Sequence, residues 1–230
     1  VAWFLSALLS KAMAIEAVKQ LPNESTRATR YSPSLVKALK KLIARMSVEI
    51  VKLSTTALSA MASLNRTLAT LFCELFDVMD RGSVFEFIHS HLSNVRMNAV
   101  LASTNSSILA KQRLQLHAWL AQYEHYFVLN YPVKYSLESL ASVRQDWWSR
   151  HYLIGALIDE CERCLHNNER MPKRYAAATM RSVLSRHGKL LTGESLKRFA
   201  DMCFPLLLVL CDVVDEILED EDDSETSDDD

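Results

Sequence analysis

Across most of this chain, apolar residues recur every three or four positions, over runs far longer than a strand. Leu35, Leu39, Leu42, Ile43, Met46 and Ile50 form one such series, and Leu68, Leu71, Phe72, Leu75, Phe76 and Met79 form another. That spacing stacks apolar side chains along one face of an α-helix. Punctuation between the series is sparse. The 230 residues include only 4 Gly and 5 Pro, which strands joined by tight turns consume heavily. The pattern confines the chain to an all-α fold of long helices.

The periodicity predicts helices over 1–20, 33–54, 57–80, 84–97, 107–127, 146–167, 172–187 and 193–219. In the first, Trp3, Phe4, Ala7, Leu8 and Met13 are expected on one side. Ser32 suits an N-cap and Pro33 the first helical position of the second. Residues 21–33 and 129–145 read as connections, the latter broken by Pro132. Pro205 predicts a kink near 201–205. About eight helices with short connections fit an armadillo/HEAT-like α-solenoid of stacked antiparallel helices better than a four-helix bundle. We expect one helical domain over 1–219 and a disordered acidic tail over 220–230.

Charge is unevenly placed. Nine acids and no base lie in 219–230, leaving 26 basic against 19 acidic residues before it, about +7 for the body of the chain. Ser224 and Ser227 sit among those acids, where an acid-directed kinase would deepen the negative charge. The 5 Cys are odd in number and lie in apolar stretches, as expected of reduced thiols in a cytoplasmic protein. The longest apolar run, "FPLLLVLC" at 204–211, is far shorter than the ~20 residues a membrane span needs. The start, with no basic leader, reads as the interior of a longer chain rather than a signal peptide.

Asp80-Arg81-Gly82-Ser83 separates two apolar series. Gly82 can end a helix at positive φ, with Arg81 complementing the negative end of the helix dipole. Ser83 and Glu86 form a capping box for the next helix. A phosphate loop would need more glycines, so the segment reads as a corner. "CERCLH" (161–166) offers Cys161, Cys164 and His166 but no second ligand pair for zinc. The histidines of "HSH" (89–91) point to different sides of a helix. Glu124 and His125 invite an acid–base reading, without a nucleophile beside them.

Neither a catalytic residue nor a cofactor or metal site is expected. Lys37, Lys41 and Arg45 form a basic stripe able to meet an acidic partner, or simply water. It lacks the interleaved aromatics of single-strand nucleic-acid binders, and no nucleic-acid partner is expected. Trp147 and Trp148, in the densest aromatic patch, would mark an interface if exposed.

The block "LNRTLATLFCELFDVMDRGSVFEFI" (64–88) resembles a segment of the DOCK family of guanine nucleotide exchange factors. Leu64, Asn65, Leu68, Ala69, Leu75, Met79, Asp80, Arg81, Gly82, Val84 and Phe85 carry the resemblance. "WFLSALLSKAMA" (3–14), "EHYFVLNYP" (124–132), "RHYLIGALIDE" (150–160) and "CFPLL" (203–207) keep the family's order. The nearest flavour is the zizimin-like branch. The resemblance implies an armadillo-like solenoid between a membrane-binding region and a C-terminal region that expels GDP from Rho-family, Rac-like GTPases. Nothing here is similar to that catalytic region, so no catalytic residue carries over. The connection at 133–146 is short for the family, and the acidic tail is not a family hallmark.

The expected role is therefore a non-catalytic scaffold segment in the cytoplasm. Its partners would be other regions of the parent chain and a regulatory adaptor. Through that parent it would serve a Rho-family GTPase, meet the membrane only indirectly, and leave room for a homodimer of the parent. The rival reading is an unrelated armadillo/HEAT-type adaptor gripping an acidic or helical peptide through the Lys37–Arg45 face. A third, more distant, is a small helical enzyme using His125 or the Cys161/Cys164 pair.

Overall fold

In the computed structural model, the Ser32 hydroxyl accepts the Leu35 amide at 3.3 Å and Pro33 opens the helix behind it. Local chemistry thus starts this helix where the sequence expects. The structure describes residues 2–20, 27, 29–102, 106–131, 151–167 and 169–225, and no strand occurs among them. The connection 132–150, with Trp147 and Trp148, lies outside the described residues, as do 226–230 with Ser227 and all side chains from 213 on, Ser224 included. The described chain forms two compact units, Val1–Leu129 and Asn130–Asp230.

The first unit contains α1 (Ala2–Gln20), α2 (Pro33–Thr56), α3 (Leu58–Val78), α4 (Arg81–Ala102), α5 (Ser106–Leu120) and the single turn α6 (Tyr126–Leu129). Its helices pack on the next but one. α1 lies on α3 and α3 on α5, while α2 lies on α4. Two layers result, with α2 also seated on α3 and α4 on α5. This is the arrangement of a helical-repeat stack, in which each helix buries one flank on each side. Ile50, Met61, Val95 and Leu109, one from each of α2 to α5, close the core between the layers. Each such side chain contributes roughly 1.5–3 kcal/mol by leaving water.

One residue joins α2 to α3. The Ala57 amide donates to the Leu53 carbonyl at 2.9 Å, and its own carbonyl accepts the Met61 amide at 3.0 Å. It closes one helix and opens the next.

Two local expectations are corrected. In α1 the buried line is Ser6, Ser10, Met13 and Ala17, whereas Trp3, Phe4 and Leu8 are exposed. That helix is apolar on nearly every side, so its periodicity did not single out the packed flank. The helix expected over 107–127 stops at Leu120. Tight bonds from the Gln122 amide to the Trp119 carbonyl and from the Tyr123 amide to the Leu120 carbonyl, both 3.0 Å, turn the chain there. The Tyr123 hydroxyl then donates to the Asp77 carboxylate, and its ring stacks on Phe76 at 6.2 Å between centroids.

The second unit contains α7 (Tyr152–Leu165), α8 (Arg170–Leu190) and α9 (Gly193–Glu225), each touching the other two. Leu157, Ile158, Cys161 and Leu165 of α7 meet the core with Ala176, Met180 and Val183 of α8, and Phe199, Met202 and Leu206 of α9. Gly193, at φ 54°, takes the left-handed conformation that turns α8 into α9. The last helix is continuous through Pro205 and extends beyond 219 to Glu225.

Candidate functional site

The corner between α3 and α4 is built differently from the expected one. α3 ends at Val78, with Met79 extended at φ −104° and ψ 170° and 2% exposed. α4 begins at Arg81, so Arg81 and Gly82 are its first two residues. Asp80 is the cap: its Oδ2 accepts the Ser83 amide at 3.1 Å. The expected Ser83–Glu86 box is therefore replaced by a cap three residues earlier. Both residues can cap a helix; Asp80 does so here, and Val84, Phe87 and Ile88 of α4 are buried.

Gly82 is not at positive φ, since Gly193 alone among the described glycines adopts it. A Cβ on Gly82 would instead stand 2.9 Å from Asp80 Oδ2. Arg81 opens α4 rather than closing α3. At the α3 end, Arg30 and Arg27 donate through Nη1 to the Val78 carbonyl at 3.1 Å and the Phe76 carbonyl at 3.4 Å. Phe76 meets Phe85 edge-on at 5.5 Å, binding the two arms of the corner.

Upstream in the same block, Asn65 is 1% exposed and donates through Nδ2 to the Gln112 carbonyl at 2.8 Å and to Gln112 Oε1 at 3.1 Å. It bolts α3 to α5. Leu64 is half-buried against the core between the layers. The sequence-predicted corner residues thus sit together at one end of α3, while Leu64 and Asn65 lie in its first half.

A second bolt was not anticipated. Ser47 of α2 and His91 of α4 meet at 2.8 Å between Oγ and Nδ1, and they are 0% and 1% exposed. A serine beside a histidine invites a nucleophile reading. However, the single hydroxyl proton of Ser47 is directed at the Ile43 carbonyl, 2.7 Å away, so the imidazole donates to the serine oxygen. Burial holds His91 down to about 3, with the charges of His117 and Arg113 adding to the effect. Neutral and sealed from water, the pair joins helices. The signal for it was a serine at a core position of α2, four residues after Ile43 and three before Ile50.

Asn130 was also missed. It is 0% exposed; its Oδ1 accepts the Ile154 amide at 2.8 Å and its carbonyl lies 2.7 Å from His151 Nδ1. Asn130 thereby caps α7 from across the 132–150 connection, a partnership that local spacing could not disclose.

The candidates for reaction chemistry are not brought together. Glu124 and His125 touch at 3.6 Å, but their side chains are 80% and 59% exposed, in a turn. Cys161 and Cys164 are buried; burial pushes the Cys161 thiol well up, and its Sγ faces the Ala176 carbonyl at 4.0 Å. His89 is exposed while His91 is buried, so "HSH" does divide between two sides of its helix. Among the described residues no three His, Cys, Asp or Glu are grouped to hold a metal ion. Lys37, Lys41 and Arg45 stand exposed on α2, opposite Leu39, Ile43 and Ile50. No described helix is long and apolar enough to cross a membrane.

Layered helices bolted by buried polar pairs define an α-helical repeat protein. A family model described as "DOCK6-11, TPR domain" matches residues 1–116. The chain belongs to the DOCK family. The dedicator of cytokinesis protein 9 of Homo sapiens is 22% identical over 227 residues, covering 94% of this chain and 11% of that protein. Human dedicator of cytokinesis protein 8 is 24% identical over 251 residues, covering 94% of this chain and 12% of its own length. Human dedicator of cytokinesis protein 7 is 29% identical over 131 residues, covering 57% of this chain and 6% of its own. The chain thus spans about a tenth of the length of these relatives or less. No solved structure matches it. The matching family is named for a TPR repeat where the sequence suggested an armadillo/HEAT one; both are stacked helical solenoids.

Proposed function

We propose that this chain is a non-catalytic scaffold segment of a DOCK-type exchange factor acting on Rho-family, Rac-like GTPases in the cytoplasm. The helices supply the scaffold, and the acidic run that begins at Glu219 enters the last of them. The scaffold holds membrane-binding and catalytic regions of the parent in fixed relation and offers a surface to a regulatory protein. The observation that carries this reading is the use of buried polar side chains as bolts. Ser47–His91 and Asn65–Gln112 are spent on joining helices inside the core. Stiffness, rather than a reactive pocket, is what such bolts contribute.

The test is nucleotide exchange. The isolated chain should leave the release of fluorescent GDP from a Rac-like GTPase at its intrinsic rate, and marked acceleration would overturn the division of labour. The exposed row Lys37, Lys41 and Arg45 favours a second reading, an adaptor for an acidic or helical peptide. Charge reversal of all three would then abolish capture of an acidic peptide while leaving the fold intact.

A further inference from the structure

α1 carries two stripes on opposite sides. Ser6, Ser10, Met13 and Ala17 are buried on the flank that packs on α3. Phe4, Leu8, Ile15 and Val18 lie across the helix from them, each between 48% and 64% exposed. Positions 4, 8, 11, 15 and 18 follow the spacing of a helix–helix seam, with the exposed Lys11 at its middle position. Trp3 extends the patch, its ring meeting Phe4 edge-on at 6.0 Å.

In a helical stack, an end helix that faces water presents a polar outer side. The outer side of α1 is instead mostly apolar, with Lys11 as the charged member of the stripe. Its neighbour α3 shows what an apolar flank on each side is for, since α3 is covered by α1 on one side and α5 on the other. By continuity of that layer, the outer stripe of α1 is shaped for another helix. The two-sided pattern recurs in the second unit, where Phe204, Leu207 and Leu208 of α9 are exposed and Met202, Leu206 and Val209 are buried.

We infer that the outer face of α1 is a docking seam for a further amphipathic helix of the same polypeptide, extending the α1–α3–α5 layer by one member. This rests on the scaffold reading above. It is also supported by relatives in which the matched region is only 11% of the chain, so that abundant sequence exists to supply that helix. A helix offering apolar residues at matching three- and four-residue intervals is the occupant the stripe fits.

The seam is tested by placing Phe4→Glu, Leu8→Glu and Ile15→Glu together, in this 230-residue chain and in the longer natural chain that contains it. Met13→Glu, on the inner flank, is the comparison. In the 230-residue chain the outer triple should leave helicity and the thermal midpoint unchanged, whereas Met13→Glu lowers the midpoint. In the longer chain the outer triple should lower the midpoint of this region by more than about 5 °C. Hydrogen exchange should show α1 protected in the longer chain and unprotected with the triple. An unchanged midpoint in the longer chain would overturn the seam, as would a triple that unfolds the 230-residue chain as Met13→Glu does. Sedimentation showing that the 230-residue chain dimerises, and that the triple returns it to monomer with no effect on the longer chain, would assign the face to a second copy instead. Exchange activity in the isolated chain would defeat the scaffold reading while leaving these outcomes standing.

Discussion

Asp80 Oδ2, the atom that accepts the Ser83 amide, occupies a position 2.9 Å from where a Cβ on Gly82 would stand. The cap and the missing side chain are one device. Removing the cap by Asp80→Ala should cost about 1 kcal/mol. Gly82→Ala alone should be near neutral, because a gain in helix propensity of about 0.5–1 kcal/mol is offset by the displaced carboxylate. With Asp80→Ala in place, the same Gly82→Ala should stabilise. Urea unfolding of the two single variants and the double measures that coupling, and strict additivity would refute it.

His91 makes stability depend on pH. It faces Ser47 from α2, Phe72 from α3, and His117 and Arg113 from α5. Its folded value of about 3 lies below the ordinary 6.5, so the unfolded chain takes up the proton that the folded chain refuses. Stability is therefore full above about pH 6.5 and declines as pH falls toward 3. At pH 5 the loss from this one group is about 2 kcal/mol. His91→Leu should flatten the decline by one proton's worth, seen as a shallower plot of unfolding midpoint against pH.

Asn130→Ala removes the acceptor of the Ile154 amide from a fully buried position. A cost of about 1–2 kcal/mol is expected. Faster hydrogen exchange should be confined to the first turn of α7. Slowed or unaltered exchange there would mean that another group caps the helix.

Two glycines of the second unit, Gly193 and Gly188, should respond in opposite directions. Gly193 has open space around it and φ 54°, so Gly193→Ala suffers only from the backbone and should destabilise by about 1 kcal/mol. Gly188 also has open space but lies inside α8, and Gly188→Ala should stabilise by about 0.5–1 kcal/mol. Thermal melts of the pair decide both signs.

Much of the scaffold was legible because it is local. The apolar series of α2 and α3 placed both helices, and Ser32 with Pro33 fixed where α2 starts. Family membership was legible in the block from Leu64 to Phe85. What escaped depended on distance or on competition. Tyr123 ends its helix through Asp77, 46 positions away, and Asn130 caps a helix 24 positions on. At the corner, the pattern pointed to Ser83 as the cap, and Asp80 takes that role instead. In α1, apolar residues on both sides concealed which flank would be covered.

The single residue between α2 and α3 has a mechanical consequence. With both of its backbone groups already engaged, Ala57 leaves two torsions as the whole covalent play between a 24-residue arm and a 21-residue arm. A pull applied to one arm reaches the other with almost no slack, so the pair transmits load as a lever does.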